Sequence, residues 1–245
     1  MKTPRTAFAF GAIAALTLAT LACAAASAQE ERSPLPAIAG VVNAMIPDGS
    51  GGWYIGGDFE RVGGIRRERL AHVLADQSLS LWDPGADGAV YSLALAEGIL
   101  YVGGDFRRLA GQKRVRLAAV DAGTGLATAF RPEPNGSVMA LALRGRTLYA
   151  GGAFSTISDQ RRIGVAALDV TSGLAEPWNP ETDGPVRAIA ILGDNAYLGG
   201  SFSFVHGLPR GHLAMVDLVT GSPTLWDPKA DGAVLALALS GATVY

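Results

Sequence analysis

The sequence predicts an all-β fold built from one repeated unit, and two observations support this prediction. The first is a constant spacing of 48 residues between equivalent short motifs, WDP at Trp82, FRP at Phe130, WNP at Trp178 and WDP at Trp226. The second is that the hydrophobic residues beyond the N-terminal apolar segment follow no helical period, so no amphipathic helix is expected. A repeat of roughly 40–50 residues with several short strands is typical of β-propeller blades.

One repeat divides into four strand-like segments, predicted at 89–96, 99–104, 115–121 and 126–132. Turn residues such as Glu97-Gly98 separate these segments. We therefore predict a β-propeller of four-stranded antiparallel blades, with four full blades and a truncated fifth. The full units begin near Gly40, Gly88, Gly136 and Gly184, and the fifth begins at Gly232 and stops at Tyr245.

The first strand of each unit predicts where that strand lies. Large apolar residues such as Leu93 and Leu95 alternate with small ones such as Ser92 and Ala94, and the other units repeat this alternation. Both faces therefore suit burial, which is typical of a strand covered on two sides. We expect it to be the innermost strand, with its small face where neighbouring blades converge.

A Gly-Gly-x-Phe motif ends the second strand of each unit, and we interpret it as architecture. Glycine inside a strand usually marks a bulge or a close backbone approach. The third place of the motif is Asp58 and Asp105, but Ala153 and Ser201 in the later units, so a catalytic carboxylate is not expected there. The predicted structural residues are Gly56, Gly57, Phe59, Gly103, Gly104, Phe106, Gly151, Gly152, Phe154, Gly199, Gly200 and Phe202.

The strings YVGGDF and LAAVDA, followed by a WDP-type motif and Asp-Gly, resemble the bacterial delta-sixty repeat. The resemblance covers about residues 38–245 and recurs in each unit. It implies a β-propeller of a secreted or surface protein and implies little about chemistry. Because the fifth unit stops in mid-blade, we expect the chain to be the N-terminal part of a longer protein. An open arc completed by another chain is the alternative.

The N-terminal segment predicts export. Residues 1–28 combine a basic start, an uncharged apolar run and a small-x-small site at Ala26-Ser27-Ala28, which is typical of a cleaved signal peptide. A short linker at 29–37 then precedes the repeats at 38–245. We expect a periplasmic, cell-surface or extracellular location and no transmembrane span. Cys23 lies in a poor lipobox-like context, so a lipid anchor there is the weaker alternative.

The composition of the mature chain limits its partners. Without Lys2 and Arg5 the chain carries 18 basic and 22 acidic residues, a net charge of −4. Because nucleic acid usually requires a basic face, we exclude it as a partner and expect a protein or a glycan.

The loop between the second and third strands varies most between units and carries the candidate ligand-binding residues. Loops on a rigid scaffold commonly host function. The unrepeated cations of this loop are Arg66, Arg107, Arg108, Lys113 and Arg161. A further arginine recurs in every unit, as Arg67, Arg114, Arg162 and Arg210. We interpret this set as a structural repeat paired with the acidic interblade loops, and a ring of guanidinium groups for an anionic ligand is the alternative.

The sequence contains no nucleophile elbow, phosphate loop or HExxH motif, so we predict no catalytic residues and no cofactor. The interblade loops, such as 83–88, imitate the start of a calcium loop but lack its late carboxylate. We therefore predict a non-catalytic binding or structural module. One alternative is an enzyme acting on glycans, with its site in further blades or in the variable loops. The other is a calcium-stiffened repeat array.

Overall fold

The computed structural model describes residues 36–245, which form strands, turns and loops without a helix. The predicted signal peptide, Cys23 and nearly all of the linker at 29–37 lie outside these residues. In the described part of the chain, no helix has the length and hydropathy needed to cross a membrane.

Four consecutive units each form an antiparallel sheet in which the second strand pairs with both the first and the third. The first, innermost strands are β1 Ile38–Pro47, β5 Val90–Ala96, β10 Val138–Arg144 and β15 Val186–Leu192. The second strands are β2 Trp53–Val62, β6 Ile99–Gly104, β11 Thr147–Gly152 and β16 Asn195–Gly200. The third strands are β4 Leu70–Val73, β9 Leu117–Asp121, β14 Val165–Asp169 and β19 Leu213–Asp217.

The prediction of a fourth strand in each blade is wrong for residues 126–132. Residues 126–132 do not form a strand and keep only an isolated bridge between Ala127 and Val120. Thr128 still donates its N–H to Ala119. The carbonyl of Thr128, however, accepts from the Arg114 side chain at 2.7 Å, and Pro132 has no N–H to donate to a sheet. The outer segment therefore pairs for only a few residues.

The variable loop between the second and third strands forms a small hairpin in each unit. In the first unit β3 Ile65–Arg66 pairs with the end of β2. In the later units the paired strands are β7 Arg108–Leu109 with β8 Gln112–Lys113, β12 Thr156–Ile157 with β13 Gln160–Arg161, and β17 Phe204–Val205 with β18 Leu208–Pro209. Both residues at each tip have positive φ, as at Ala110-Gly111 with 49° and 70°. This is the backbone of a two-residue hairpin loop of the I′ type. In the fifth unit only the hairpin β20 Leu239–Ser240 with β21 Thr243–Val244 forms.

Neighbouring blades pack through their innermost strands. Strand β5 lies against β1 on one side and β10 on the other, and β10 lies between β5 and β15. Leu93 packs against the cluster between the first two blades, whereas Ala94 belongs to the cluster between the second and third. The small face is therefore buried between blades, while Leu93 and Leu95 on the large face are only partly buried.

The paired glycines mark two close approaches of the backbone. A Cβ on Gly103 would lie 2.8 Å from a methyl group of Val138 in the next blade. A Cβ on Gly104 would overlap the carbonyl oxygen of Ala89, which immediately precedes the inner strand of the same blade. Both approaches recur in the other units, with Gly56, Gly151 and Gly199 in the first role and Gly57, Gly152 and Gly200 in the second.

The phenylalanine of the motif lies between blades. Phe106 is fully buried in the cluster between the first and second blades, and Phe154 and Phe202 occupy the same place in the next two clusters. Phe59 is also buried, in the cluster of the first blade. Each phenylalanine therefore contributes a large apolar side chain to the core at the same point of the repeat.

Candidate binding surface on the hairpin side

The small hairpins and the interblade loops lie together on one side of the blades, which we call the hairpin side. An isolated bridge joins Ala86 of the first interblade loop to Leu109 of the next hairpin, and Thr182 joins Val205 in the same way. Asp87 holds the start of the hairpin, because one of its oxygens accepts the N–H groups of Arg107 at 2.7 Å and Arg108 at 2.8 Å. Asn135 and Asp183 hold the following hairpins identically.

These hydrogen bonds show that the Asp and Asn residues of the calcium-like interblade loops hold the hairpins in place. One carboxylate oxygen of Asp87 accepts two backbone N–H groups, which is a structural role for this residue. Within residues 36–245, no group of three or more His, Cys, Asp or Glu side chains is arranged to hold a metal ion.

The arginine that recurs in every unit binds backbone carbonyls. Arg114 donates to the carbonyls of Lys113 at 2.9 Å and Thr128 at 2.7 Å. Arg67, Arg162 and Arg210 repeat this pair of bonds, each joining the hairpin to the outer segment of its own unit. The predicted acidic partner is found for Arg67, whose guanidinium lies 3.6 Å from Asp83, and for no other member of this set in the described chain.

The unrepeated cations separate into two groups. Arg66 pairs with Glu68, and Arg161 pairs with Glu181 at 2.7 Å, so two of the five candidates carry a neutralising partner. In the described part of the chain, Arg107, Arg108 and Lys113 have no carboxylate within 4.0 Å. All three are exposed and lie on the hairpin of the second unit. We call residues 107–114 the basic hairpin.

The register of the basic hairpin places like charges face to face. Arg108 lies directly opposite Lys113 across the two strands. In the first unit Arg61 lies directly opposite Arg66. Like charges in directly opposed positions of a β-ladder are destabilising. In the third and fourth units the equivalent pairs are Thr156 with Arg161 and Phe204 with Pro209, so the fold itself does not require two cations there.

The aspartate of the Gly-Gly-Asp-Phe string has an arginine partner that its sequence motif does not indicate. Asp105 pairs with Arg116 at 3.1 Å, and Asp58 pairs with Arg69 at 3.5 Å. Later units change both places together, to Ala153 with Gly164 and to Ser201 with His212. Comparing the two columns of the repeat would have revealed this pairing.

His72 forms a buried contact that occurs in one unit. Its Nε2 lies 2.9 Å from an Asp48 oxygen, and its ring stacks on Tyr54 with ring centres 4.2 Å apart. Asp48 also accepts from Ser50 and Gly52 and closes the β1–β2 turn. Burial raises the pKa of the Asp48 carboxyl, but the bonds from His72, Ser50 and Gly52 together outweigh burial and hold this pKa well below its usual range.

We expect Asp48→Asn to destabilise the protein at pH 7 by about 2 kcal/mol, since hydrogen bonds to charged groups contribute about 1.5–3 kcal/mol. A carboxylate with a lowered pKa stabilises the fold above its unfolded pKa of about 3.9, and this contribution is lost as the pH falls through the folded value. The difference between wild type and variant should therefore narrow below pH ~4. Urea unfolding from pH 7 to pH 2 measures this difference, with Asp231→Asn at an exposed carboxyl as the control. If the difference in free energy of unfolding between wild type and Asp48→Asn stayed constant with pH, the Asp48 carboxyl would not have a lowered pKa in the folded protein.

Repeated antiparallel sheets that pack through their innermost strands define a β-propeller type of fold with a hairpin-covered side. Comparison with known structures supports this class. The chain is similar to a computationally designed protein, Ika4, with a TM-score of 0.50 and 14% identity over 73% of this chain and 92% of that one. It is also similar to the WD40 domain of Pan2 from Neurospora crassa, with a TM-score of 0.50 and 11% identity over 81% of this chain and 56% of that one. No protein-family model and no curated protein sequence matches the chain.

Proposed function

We propose that the mature chain is an exported, non-catalytic binding module that recognises an acidic partner through the basic hairpin. The fold is a rigid repeat scaffold, and loops on such scaffolds commonly carry the binding residues. The partner is a protein or a glycan that presents carboxylate or sulfate groups. Export rests on the sequence of residues 1–28, which places the module in the periplasm, at the cell surface or outside the cell.

One observation carries this proposal, namely the opposed and exposed cations Arg108 and Lys113, whose charged groups have no carboxylate within 4.0 Å in the described chain. Placing these two charges together costs stability, roughly 0.2–1 kcal/mol for a cross-strand pair. A bound anion would neutralise both side chains and remove this cost. Arg107 extends the same patch at the start of the hairpin, where Asp87 holds its backbone N–H and leaves its side chain exposed.

The net charge of the whole chain also supports a binding role for the hairpin side. The mature sequence has a net charge of −4, so a local patch of three exposed cations contrasts with its surroundings. Such a patch attracts an acidic partner of limited size. It does not provide the extended basic face that nucleic acid requires.

The test is binding of the mature protein to polygalacturonate as an acidic glycan, to poly-glutamate as an acidic polypeptide and to neutral dextran. We expect one or both polyanions to bind and dextran not to bind. In the double variant Arg108→Gln with Lys113→Gln, affinity should fall at least about tenfold, because hydrogen bonds to charged groups contribute about 1.5–3 kcal/mol each. Preference for one polyanion distinguishes a glycan from a protein partner.

The same variant should keep or slightly raise the melting temperature, because it removes a like-charge pair from the ladder. The matched control is Arg161→Gln, which removes an exposed hairpin cation that is already paired with Glu181. Equal loss of binding in the control and the double variant would contradict the proposal. Absence of binding to both polyanions would contradict it as well.

A further inference from the structure

A β-bulge interrupts the innermost strand at the same place in every full unit. In β5 the pairing passes from Val90 directly to Ser92, so Tyr91 is the extra residue that has no partner on β6. The bulged residues of the other strands are Asn43, Met139 and Arg187. Bulges re-aim a side chain and are frequent beside functional sites.

The bulged residue also differs in every unit, although the kinds of residue on either side of it do not. A valine precedes it in all five units and a small residue follows it, as in Val90-Tyr91-Ser92 and Val186-Arg187-Ala188. The residue between them is Asn43, Tyr91, Met139, Arg187 or Leu235, which differ in size, polarity and charge. Because the flanking residues form the blade contacts, they are constrained by the repeat, whereas the bulged residue is free to vary.

Four of these residues line one pocket that is open to solvent. Tyr91, Met139, Arg187 and Leu235 line a space of about 350 Å³, which we call the axial pocket. It holds one charged group, the half-buried Arg187 guanidinium, among a phenol ring and two apolar side chains. In the described chain no carboxylate lies within 4.0 Å of Arg187.

Arg187 contacts the neutral side chain of Ser201, so its positive charge is not neutralised by this neighbour. The Nε of Arg187 donates to the Ser201 hydroxyl at 3.3 Å, and one terminal nitrogen lies 3.9 Å from the Met139 sulfur. Ser201 occupies the place that is Asp58 in the first unit and Asp105 in the second. An aspartate there would bring a carboxylate to Arg187, whereas a serine orients the guanidinium without neutralising it.

We propose that the axial pocket binds a small organic anion, with its carboxylate on Arg187 and an apolar or aromatic body against Tyr91, Met139 and Leu235. A guanidinium matches a carboxylate with two parallel hydrogen bonds, which fixes the orientation of the ligand. Convergent apolar side chains around a few polar groups are the usual composition of a small-molecule site. This site is separate from the basic hairpin, which would take a larger acidic partner.

The test uses three probes, phenylacetate, 4-hydroxybenzoate and octanoate, with phenylacetamide as the neutral analogue of the first. Two-dimensional amide NMR of the mature protein follows each titration. We expect at least one acid to bind, with shifts centred on the bulged residues, and the amide to bind at least tenfold more weakly. Arg187→Gln should abolish binding, and Arg144→Gln, an exposed inner-strand arginine paired with Asp194, should leave it unchanged.

A second variant separates charge from folding. Ser201→Asp keeps Arg187 in place and introduces a residue that the repeat already accepts at this position, so the protein should fold and lose the anion. Equal binding of phenylacetate and phenylacetamide would overturn the proposal. Unchanged binding in Arg187→Gln or Ser201→Asp, or binding of none of the three acids, would overturn it too.

Discussion

Replacing Gly136 by alanine is expected to destabilise the protein by at least about 3 kcal/mol. The added Cβ would overlap the backbone of Ala153 and lie 2.9 Å from the Cα of Phe154. Overpacking usually costs about 1–3 kcal/mol, and here the opposing atoms are main chain, so relief requires the second strand to move away from the first. Urea unfolding followed by circular dichroism measures the change.

Gly232 provides the matched control, because it occupies the same place of the repeat in the fifth unit. A Cβ on Gly232 would meet no atom within 4 Å, and its φ is not in the left-handed region. Gly232→Ala should therefore be neutral or stabilise by up to about 1 kcal/mol, through the lower entropy of the unfolded chain. Equal effects of the two substitutions would contradict the packing that we describe between first and second strands.

Replacing Phe106 by alanine is the second change with a large expected effect. Phe106 is fully buried between the first and second blades, with Tyr54, Leu70 and Trp82 in the same cluster. Truncation of a buried phenylalanine costs about 3–5 kcal/mol, from lost transfer energy and from the cavity that remains. For a chain of this size we expect the melting temperature to fall by on the order of 10 °C.

The control for this substitution is Phe204→Ala, on the hairpin of the fourth unit. Phe204 is 45% exposed, so its removal creates no enclosed cavity. We expect a change within about 0.5 kcal/mol, as for surface substitutions generally. If Phe204→Ala destabilises as much as Phe106→Ala, the two side chains do not differ in burial as the structure shows.

The sequence predicted the sheets well, because the same packing problem recurs in each unit. The second strand at 99–104 has the predicted bounds, and the first differs by one residue. The fourth strand was predicted as a strand-like segment at 126–132, bounded by turn residues. In the structure the Arg114 side chain donates to the carbonyl of Thr128 in this segment. The recurrence of the arginine is visible in the sequence, but the carbonyl that it contacts is not.

The candidate sites were predicted less completely. The sequence identified the exposed cations of the variable loop, but not that a two-residue turn at Ala110-Gly111 sets Arg108 opposite Lys113. The axial pocket was missed because its residues belong to different units and share no chemistry. The sequence feature that marks these residues is one variable position between a constant valine and a constant small residue.

The most direct test of the binding surface is hydrogen exchange of the mature protein with and without the polyanion that binds it. We expect slower exchange on the basic hairpin at 107–114, a weaker effect on the first hairpin around Arg61 and Arg66, and no change on the fourth hairpin at 204–209. Protection confined to the fourth hairpin, or to strands away from the hairpin side, would contradict the account.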